Sequence, residues 1–416
     1  MLNKLHTIFL NYYKLPKEVF IVFIGKLITC IGSFILPILT LILTNKLDLS
    51  ESQSGSIATL MFLVQIPCSL IGGKLSDCIN CKKVLCFFQA AAAILYIYWG
   101  LNPNIEYLVP MLILASCFYS ISVPAYDSVI ANITSKDNRA DAYSLLYIGI
   151  NIGVSISPIL AGLLFENHLA LLFFLDGITA LISIILIIFF VRINSEKNVP
   201  YNIKKSSKIS LYNVLRNNVN IIYFLIIMIV FYFLYSQLTF SLPIQLNSLF
   251  NQDGSKFFGI IASVNAVSVV VITPLLQGIV KKFTIPKSIY IASIFFTISF
   301  LIFAFSDSLY NFIIGTIIFT ISEILISVNT VTFISNMVPD SHRGRIVSFV
   351  PIISSVGMSI GPVITGNIIQ KTNIFNSWII ISIISIIAGV LMYIFNIYYI
   401  KHYDYDITCS STSKKL

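Results

Sequence analysis

Charged residues are scarce in this chain of 416 residues, where Asp, Glu, Lys and Arg together make up only 10%. An ordinary soluble domain carries about 25%. Hydrophobic residues reach 57%, and the mean hydropathy is +0.91. This composition excludes a soluble globular protein. It predicts an all-α polytopic membrane protein, since a helix satisfies its own backbone hydrogen bonds in lipid.

Other absences narrow the function. The phosphate-binding pattern Gly-x-x-x-x-Gly-Lys-Ser/Thr is missing, which disfavours an ATP-driven pump. The four histidines form no metal or nucleophile cluster, so we expect neither an enzyme nor a cofactor. Cys78 and Cys81 have metal-ligand spacing, but no second Cys pair or nearby His completes a site. We therefore expect free thiols and no metal, and the lack of a sizeable soluble domain disfavours a receptor.

Long apolar segments occur twelve times, each near the roughly 20 residues that cross a bilayer. They lie near residues 18–43, 54–76, 84–101, 107–131, 140–164, 169–191, 219–246, 257–280, 286–305, 309–334, 345–369 and 374–398. The longest internal polar segment separates the first six from the last six. The predicted organisation is an N-terminal six-helix bundle (1–191), a cytoplasmic linker (192–218), a C-terminal six-helix bundle (219–398) and a cytoplasmic tail (399–416).

The basic residues predict the orientation. If both termini are cytoplasmic, all but four of the 26 Lys and Arg residues lie on the cytoplasmic side, the exceptions being Lys26, Lys46, Lys256 and Lys371. The net charge of +9 then follows from topology and requires no nucleic-acid partner. No small-residue cleavage site follows the first span, so we expect a retained signal anchor. The richness in Ile, Asn and Lys is typical of an AT-rich bacterial genome, and a bacterial inner membrane is expected.

A sequence repeat at an offset of 204 residues relates the two halves. Arg139, Ser144, Gly153, Pro158 and Gly162 recur as Arg343, Ser348, Gly357, Pro362 and Gly366. Six spans per half keep both copies in one orientation, which predicts parallel bundles that rock around a central cavity. A duplicated membrane protein of this kind is usually a transporter.

Small residues at four-residue spacing predict a helix-packing motif within the repeat. Its members in the fifth and eleventh spans are Gly153, Pro158, Gly162, Gly357, Gly361, Pro362 and Gly366. Each proline removes a backbone hydrogen bond and loosens its helix. Two interpretations remain open, a fixed kink in a tightly packed helix and a pivot between transport states.

The loop between the second and third spans runs from Gly73 through Asp77 to Lys83, and with the repeat it resembles the major facilitator superfamily over nearly the full length. The resemblance implies a conformational latch, in which Asp77 caps the eleventh helix and a loop cation pairs with Asp127 of the fourth. Cys81 stands at the position of the family's arginine. Lys82 or Lys83 is the predicted replacement, as a point charge instead of a planar fork.

The fifth span resembles the motif of the family's drug/proton antiporters, although Ser157 replaces the usual glycine and the fourth span lacks the branch's arginine. The resemblance implies a monomeric multidrug-type efflux protein that exports amphiphilic small molecules, drugs or natural products, in exchange for protons. Facilitated passage or symport of a polar metabolite, and lipid flipping, remain alternatives. The implied partners are a small-molecule substrate, protons and the bilayer.

Ionisable residues within spans are costly and are candidates for function. Glu323 lies about 21 Å into the tenth span at 1.5 Å per residue, near mid-membrane, and is predicted to bind protons or cationic substrate. Lys26 of the first span either binds an anionic group or snorkels to the cytoplasmic surface. Asp176 of the sixth span is predicted to have a packing role with nearby hydroxyls. The remaining predicted cavity residues are polar or aromatic: Gln65, Asn151, Tyr235, Gln237 and Asn329.

Overall fold

The computed structural model describes residues 15–135, 138–193, 219–280, 283–337 and 349–412. Within these ranges all regular structure is helical. Ten segments are long and apolar enough to cross a membrane. One of them, Asn220–Leu276, covers both the seventh and eighth predicted spans, and the first predicted span falls outside the ten because its helix is interrupted. Each predicted span thus contains helix among its described residues, and the all-α polytopic fold is confirmed.

The helices of the first half are α1 (Lys17–Ile31), α2 (Glu51–Cys78), α3 (Cys81–Leu101), α4 (Leu108–Ile133), α5 (Arg139–Leu164) and α6 (Leu169–Phe190). The first span continues beyond α1 as a short α-helical piece, Leu39–Leu41, and a π-helical turn, Ile42–Lys46. We call this continuation the outer segment of the first span.

The helices of the second half are α7 (Val219–Tyr235 and Gln237–Phe250), α8 (Gly254–Val280), α9 (Ile285–Phe305), α10 (Leu309–Met337), α11 (Phe349–Lys371) and α12 (Ile374–Thr412). Helix α12 continues well past the predicted end of its span at residue 398. Most of the predicted linker, residues 194–218, lies outside the described residues.

Local sequence fixes where the helices begin. Ser50 starts α2 with a capping box, since its Oγ accepts from Gln53 N at 3.3 Å and Gln53 Oε1 accepts from Ser50 N at 3.1 Å. Asn80 starts α3 in the same role, because its Oδ1 accepts a hydrogen bond from Lys82 N at 3.0 Å. The polar loops thus contain the signals that separate one apolar helix from the next.

Helix packing repeats between the halves. In the first half α1 packs on α5 and α6, and α3 packs on α4 and α6. In the second half α7 packs on α11 and α12, and α9 packs on α10 and α12. These are the equivalent pairs when the chain is shifted by six helices. The duplication seen in the sequence therefore extends to the packing of each bundle.

Contacts divide the chain into two compact units. The first unit comprises Met1–Asn202 and Leu242–Val267, and the second comprises Ile203–Ser241 and Ser268–Leu416. The end of α7 and the first half of α8 thus make their contacts with the first unit. Each unit is described separately below.

Candidate functional site

The first span is interrupted between α1 and its outer segment. Gly32 ends α1, and Pro37 follows five residues later. A proline has no N–H group, so Ser33 O lacks the donor that a continuous helix would supply from position 37. The N–H groups of Phe34 and Ile35 likewise lie beyond the last turn of α1. Phe34 N also donates to Gly32 O at 2.9 Å, whereas Ser33 O and Ile35 N need partners from other helices in a membrane.

Helix α6 supplies the acceptor for this break. Asp176 Oδ2 accepts hydrogen bonds from Phe34 N at 3.0 Å and from Ile35 N at 3.2 Å. Thr179, one turn further along α6, lies so close to Gly32 that a side chain at Gly32 would overlap it. Asp176 was predicted to have a packing role near hydroxyl groups. The hydrogen bonds to its side chain come from two backbone N–H groups.

Helix α5 supplies the donor. Ser157 Oγ donates to Ser33 O at 2.5 Å. Ser157 occupies the place where the antiporter motif usually has glycine, directly before Pro158. The departure from the motif therefore has a physical reason, because a glycine there would leave Ser33 O without this donor.

Replacing Ser157 by Ala is expected to lower the stability of the purified protein by about 1–3 kcal/mol, the usual effect of leaving a buried polar group unsatisfied. Ser155 provides the matched control, since its Oγ bonds only to Ile152 O of its own helix. Thermal unfolding in detergent measures both variants. Equal melting temperatures for Ser157→Ala and Ser155→Ala would show that the bond to Ser33 contributes nothing.

Lys26 lies in α1 beside two aromatic rings of α4. Its Nζ is 4.4 Å from the ring centroid of Tyr126 and 6.0 Å from that of Tyr119. A desolvated ammonium over an aromatic face is stabilised by about 2 kcal/mol. The sequence left open whether Lys26 binds an anion or snorkels to the surface. The structure adds a third possibility, in which the ammonium group lies over the two tyrosine rings.

Glu323 and Tyr235 meet in the second unit. Tyr235 Oη donates to Glu323 Oε1 at 3.1 Å, and both side chains are half-buried. The Tyr235 ring also packs against Phe319, one turn before Glu323, with 6.0 Å between ring centroids. Ser327 bonds to the backbone oxygen of Glu323, not to its carboxylate. Two residues predicted from different helices thus form one polar contact.

Three other predicted residues bond within their own helices. Asn151 Nδ2 donates to Tyr147 O at 2.7 Å, and Asn329 Nδ2 donates to Leu325 O at 2.6 Å. Gln237 is fully buried at the interruption of α7, where its Nε2 donates to Phe233 O and Ser236 Oγ and its Oε1 accepts from Ser241 Oγ. Gln237 therefore supports the bend in α7.

A cavity of about 110 Å³ lies within the first unit, next to the break in the first span. Its polar lining comes from the first span and from α2, α3, α4 and α6: Thr29, Ser33, Gln65, Gln89, Tyr96, Ser116, Tyr119 and Asp176. Of these, the sequence analysis placed only Gln65 in a cavity. The others are single polar residues in apolar helices, and nothing in the sequence shows that they face one another.

The predicted latch residues are placed as follows. Asp77 and Asp127 are both exposed. A methyl group placed at Gly73 would meet no atom within 4 Å. Lys82 Nζ donates to Ile188 O at 2.9 Å and Val191 O at 2.7 Å, so it binds the C-terminal end of α6. The single ion pair found in the described ranges is Lys46–Glu166, at 3.2 Å. The start of the predicted eleventh span, residues 345–348, lies outside the described residues, so Asp77 capping stays a prediction.

The small residues of the repeat lie at close helix contacts. A side chain at Gly153 would overlap Cys30 of α1, and one at Gly162 would overlap the backbone of Ser255 in α8. In the second unit, Gly357 lies against Tyr232 and Gly361 against Ser236, both of the seventh span. Pro158, Pro362 and Gly366 are buried.

The cysteine pair lacks the features of a metal centre. Cys78 is exposed, Cys81 is buried and accepts a hydrogen bond from Asn132 Nδ2 at 3.4 Å, and both are free. In the part of the chain that the structure describes, no three His, Cys, Asp or Glu residues come together as a metal site.

The helical fold and the packing repeated between the halves define a multi-pass membrane protein, and the family match that follows makes it a transporter of small molecules and not an enzyme. The Major Facilitator Superfamily model matches residues 22–327 and 252–400. The chain belongs to this superfamily.

Relatives and solved structures agree with this assignment. A "Na(+), Li(+), K(+)/H(+) antiporter" of Planococcus maritimus is 20% identical, over 76% of this chain and 81% of its own. The quinolone resistance protein NorA of Staphylococcus aureus is 20% identical over 41% of this chain and 44% of its own. The crystal structure of the nucleoside transporter NupG superposes with a TM-score of 0.76 at 13% identity, covering 91% of this chain and 99% of that one. The last likeness concerns the fold alone.

Proposed function

We propose that this protein is a secondary active transporter of the bacterial inner membrane that exports amphiphilic small molecules, drugs or natural products, by proton antiport. Alternating access of a central cavity would carry substrate and proton in opposite directions. The contact between Glu323 and Tyr235 is the observation that carries this proposal.

The chemistry of this contact suits proton exchange. An ionised carboxylate accepts hydrogen bonds only, while a protonated one also donates. The Tyr235 hydroxyl donates to Glu323 Oε1 and so holds the carboxylate in position. A cationic substrate and a proton would then compete for the same carboxylate, so that binding of one releases the other. Competition at one group is the simplest coupling of two opposite fluxes.

The neighbourhood of Glu323 suits an amphiphile. Tyr235 is half-buried, with a polar hydroxyl on the carboxylate and an aromatic body against Phe319. Ligand sites of this class are largely apolar and aromatic with few fixed polar groups. The antiporter relative supports exchange against protons, and the quinolone resistance protein NorA supports a role in drug resistance.

A two-stage experiment tests the proposal. Cells with and without the protein are first screened for susceptibility to a panel of amphiphilic cations, anions and neutral compounds. Hits are then followed in vesicles of reconstituted protein, where we expect an imposed pH gradient to drive substrate accumulation against its own gradient. Flux that merely equilibrates the substrate, with or without the pH gradient, would establish facilitation instead and remove proton antiport.

A further inference from the structure

The cavity of the first unit is lined by the carboxyl group of Asp176, which has no ion-pair partner among the described residues. Asp176 Oδ2 is occupied by the two N–H groups of the break in the first span. Within the described ranges, Oδ1 accepts no hydrogen bond, and Asp176 takes part in no ion pair. No Lys, Arg or His is among the residues that line the cavity, since Lys26 is held over the rings of Tyr126 and Tyr119.

A second oxygen on the same cavity also lacks a partner. Gln89 is 1% exposed, and its Oε1 is buried without a hydrogen bond. The orientation of this amide follows from its neighbour. Thr29 Oγ1 gives its only proton to Gly25 O at 3.0 Å, so the Gln89 atom beside Thr29 must be the donor Nε2, at 3.4 Å. The carbonyl oxygen of Gln89 is then left as an unsatisfied acceptor.

Two acceptor oxygens without a hydrogen-bond donor, one of them on a carboxyl group, suit a positively charged ligand. The cavity of about 110 Å³ has room for several water molecules, because one water molecule needs roughly 10–15 Å³ of such volume. It is too small for a drug-sized molecule, whose pockets span about 300–1,000 Å³. Oxygen ligands suit hard cations, and a single carboxylate matches a single positive charge. An unwound membrane helix beside such oxygens is a recurrent setting for ion binding.

We propose that this cavity is a binding site for a monovalent alkali cation, Na⁺ or Li⁺, held by Asp176 Oδ1 and Gln89 Oε1 with water completing the shell. The N–H groups of Phe34 and Ile35 hold Oδ2 of Asp176 in place and leave Oδ1 for the ligand. A proton bound to Asp176 would leave the cavity and the unsatisfied oxygen of Gln89 unexplained. A bound cation accounts for both. The site lies apart from Glu323 in the chain's other unit and does not depend on the proposed function.

The experiment uses the purified full-length protein at constant pH and ionic strength, with NaCl or LiCl exchanged for choline chloride. The melting temperature of the wild type is expected to rise saturably with Na⁺ or Li⁺, and Asp176→Asn is expected to abolish the rise. Gln89→Leu is expected to raise the half-saturating Na⁺ concentration about tenfold, which corresponds to about 1.4 kcal/mol. If Asp176→Asn fails to fold, the Na⁺ titration of Gln89→Leu decides the proposal. An unchanged half-saturating Na⁺ concentration in that variant would then overturn it.

Glu323→Gln is the matched control, because it removes one intramembrane carboxylate from the second unit and is expected to keep the full Na⁺ response. A wild type that melts identically in NaCl, LiCl and choline chloride would overturn the cation site. So would a response to pH alone, which would make the occupant a proton, or a Na⁺ response that survives in Asp176→Asn. Loss of coupled transport in Glu323→Gln with an intact Na⁺ response separates this site from the proposed antiport site.

Discussion

Glu323→Gln is expected to abolish pH-gradient-driven transport while leaving the protein in the membrane at its normal level. Glutamine has the same shape, and its carbonyl oxygen still accepts from Tyr235 Oη, so the local packing is retained. The variant loses the charge and the ability to exchange a proton. Reconstituted vesicles with an imposed pH gradient measure the effect, and expression is checked by the amount of folded protein recovered.

Tyr235→Phe is the companion variant for this prediction. It keeps the carboxylate and the aromatic contact with Phe319 but removes the hydroxyl that donates at 3.1 Å. Coupled transport is expected to persist at a reduced rate, because the carboxylate loses the hydroxyl that positions it. Full gradient-driven activity in Glu323→Gln would remove Glu323 from the mechanism, whatever Tyr235→Phe does.

The adjacent glycines Gly72 and Gly73 are expected to respond oppositely to alanine. A methyl group at Gly72 would overlap the backbone of Ile121 in α4, while one at Gly73 would meet nothing within 4 Å. Gly72→Ala should therefore lower stability by about 1–3 kcal/mol, the usual penalty of overpacking. Gly73→Ala should be neutral or stabilising by up to about 1 kcal/mol, because alanine favours helix over glycine.

Thermal unfolding of both variants in the same detergent measures this difference. Each variant is the control for the other, since both make the same substitution at neighbouring positions of α2. The result would contradict the close packing of α2 on α4 if Gly72→Ala melted at or above the temperature of Gly73→Ala.

Hydropathy predicted the twelve spans because each span must present a long apolar surface to lipid. This requirement can be recognised from the composition of about 20 consecutive residues. The interruption of the first span was not predicted. Proline alone does not reveal it, since α2 contains Pro67, α4 contains Pro124 and α5 contains Pro158, and all three helices continue through. The break depends on Ser157 and Asp176, more than 120 residues away.

The candidate site was predictable only in part for a related reason. Glu323 stands out in the sequence because a carboxylate in an apolar helix is unusual. Its partner Tyr235 is one of 21 tyrosines, and only the rotation of α7 against α10 identifies it. Asn329 and Gln89 show the converse. Both are amides in apolar helices, but one bonds to its own helix and the other faces a cavity with an unsatisfied oxygen.

The break in the first span also sets an order for biogenesis. Ser33 O and Ile35 N leave the ribosome with the first span, yet their partners arrive only with α5 and α6. Unsatisfied backbone groups cost several kcal/mol each in hydrocarbon. We therefore expect the nascent first span to stay near the insertion machinery or the hydrated interface until the sixth span is synthesised, so that the first six spans enter the lipid as one cooperative assembly.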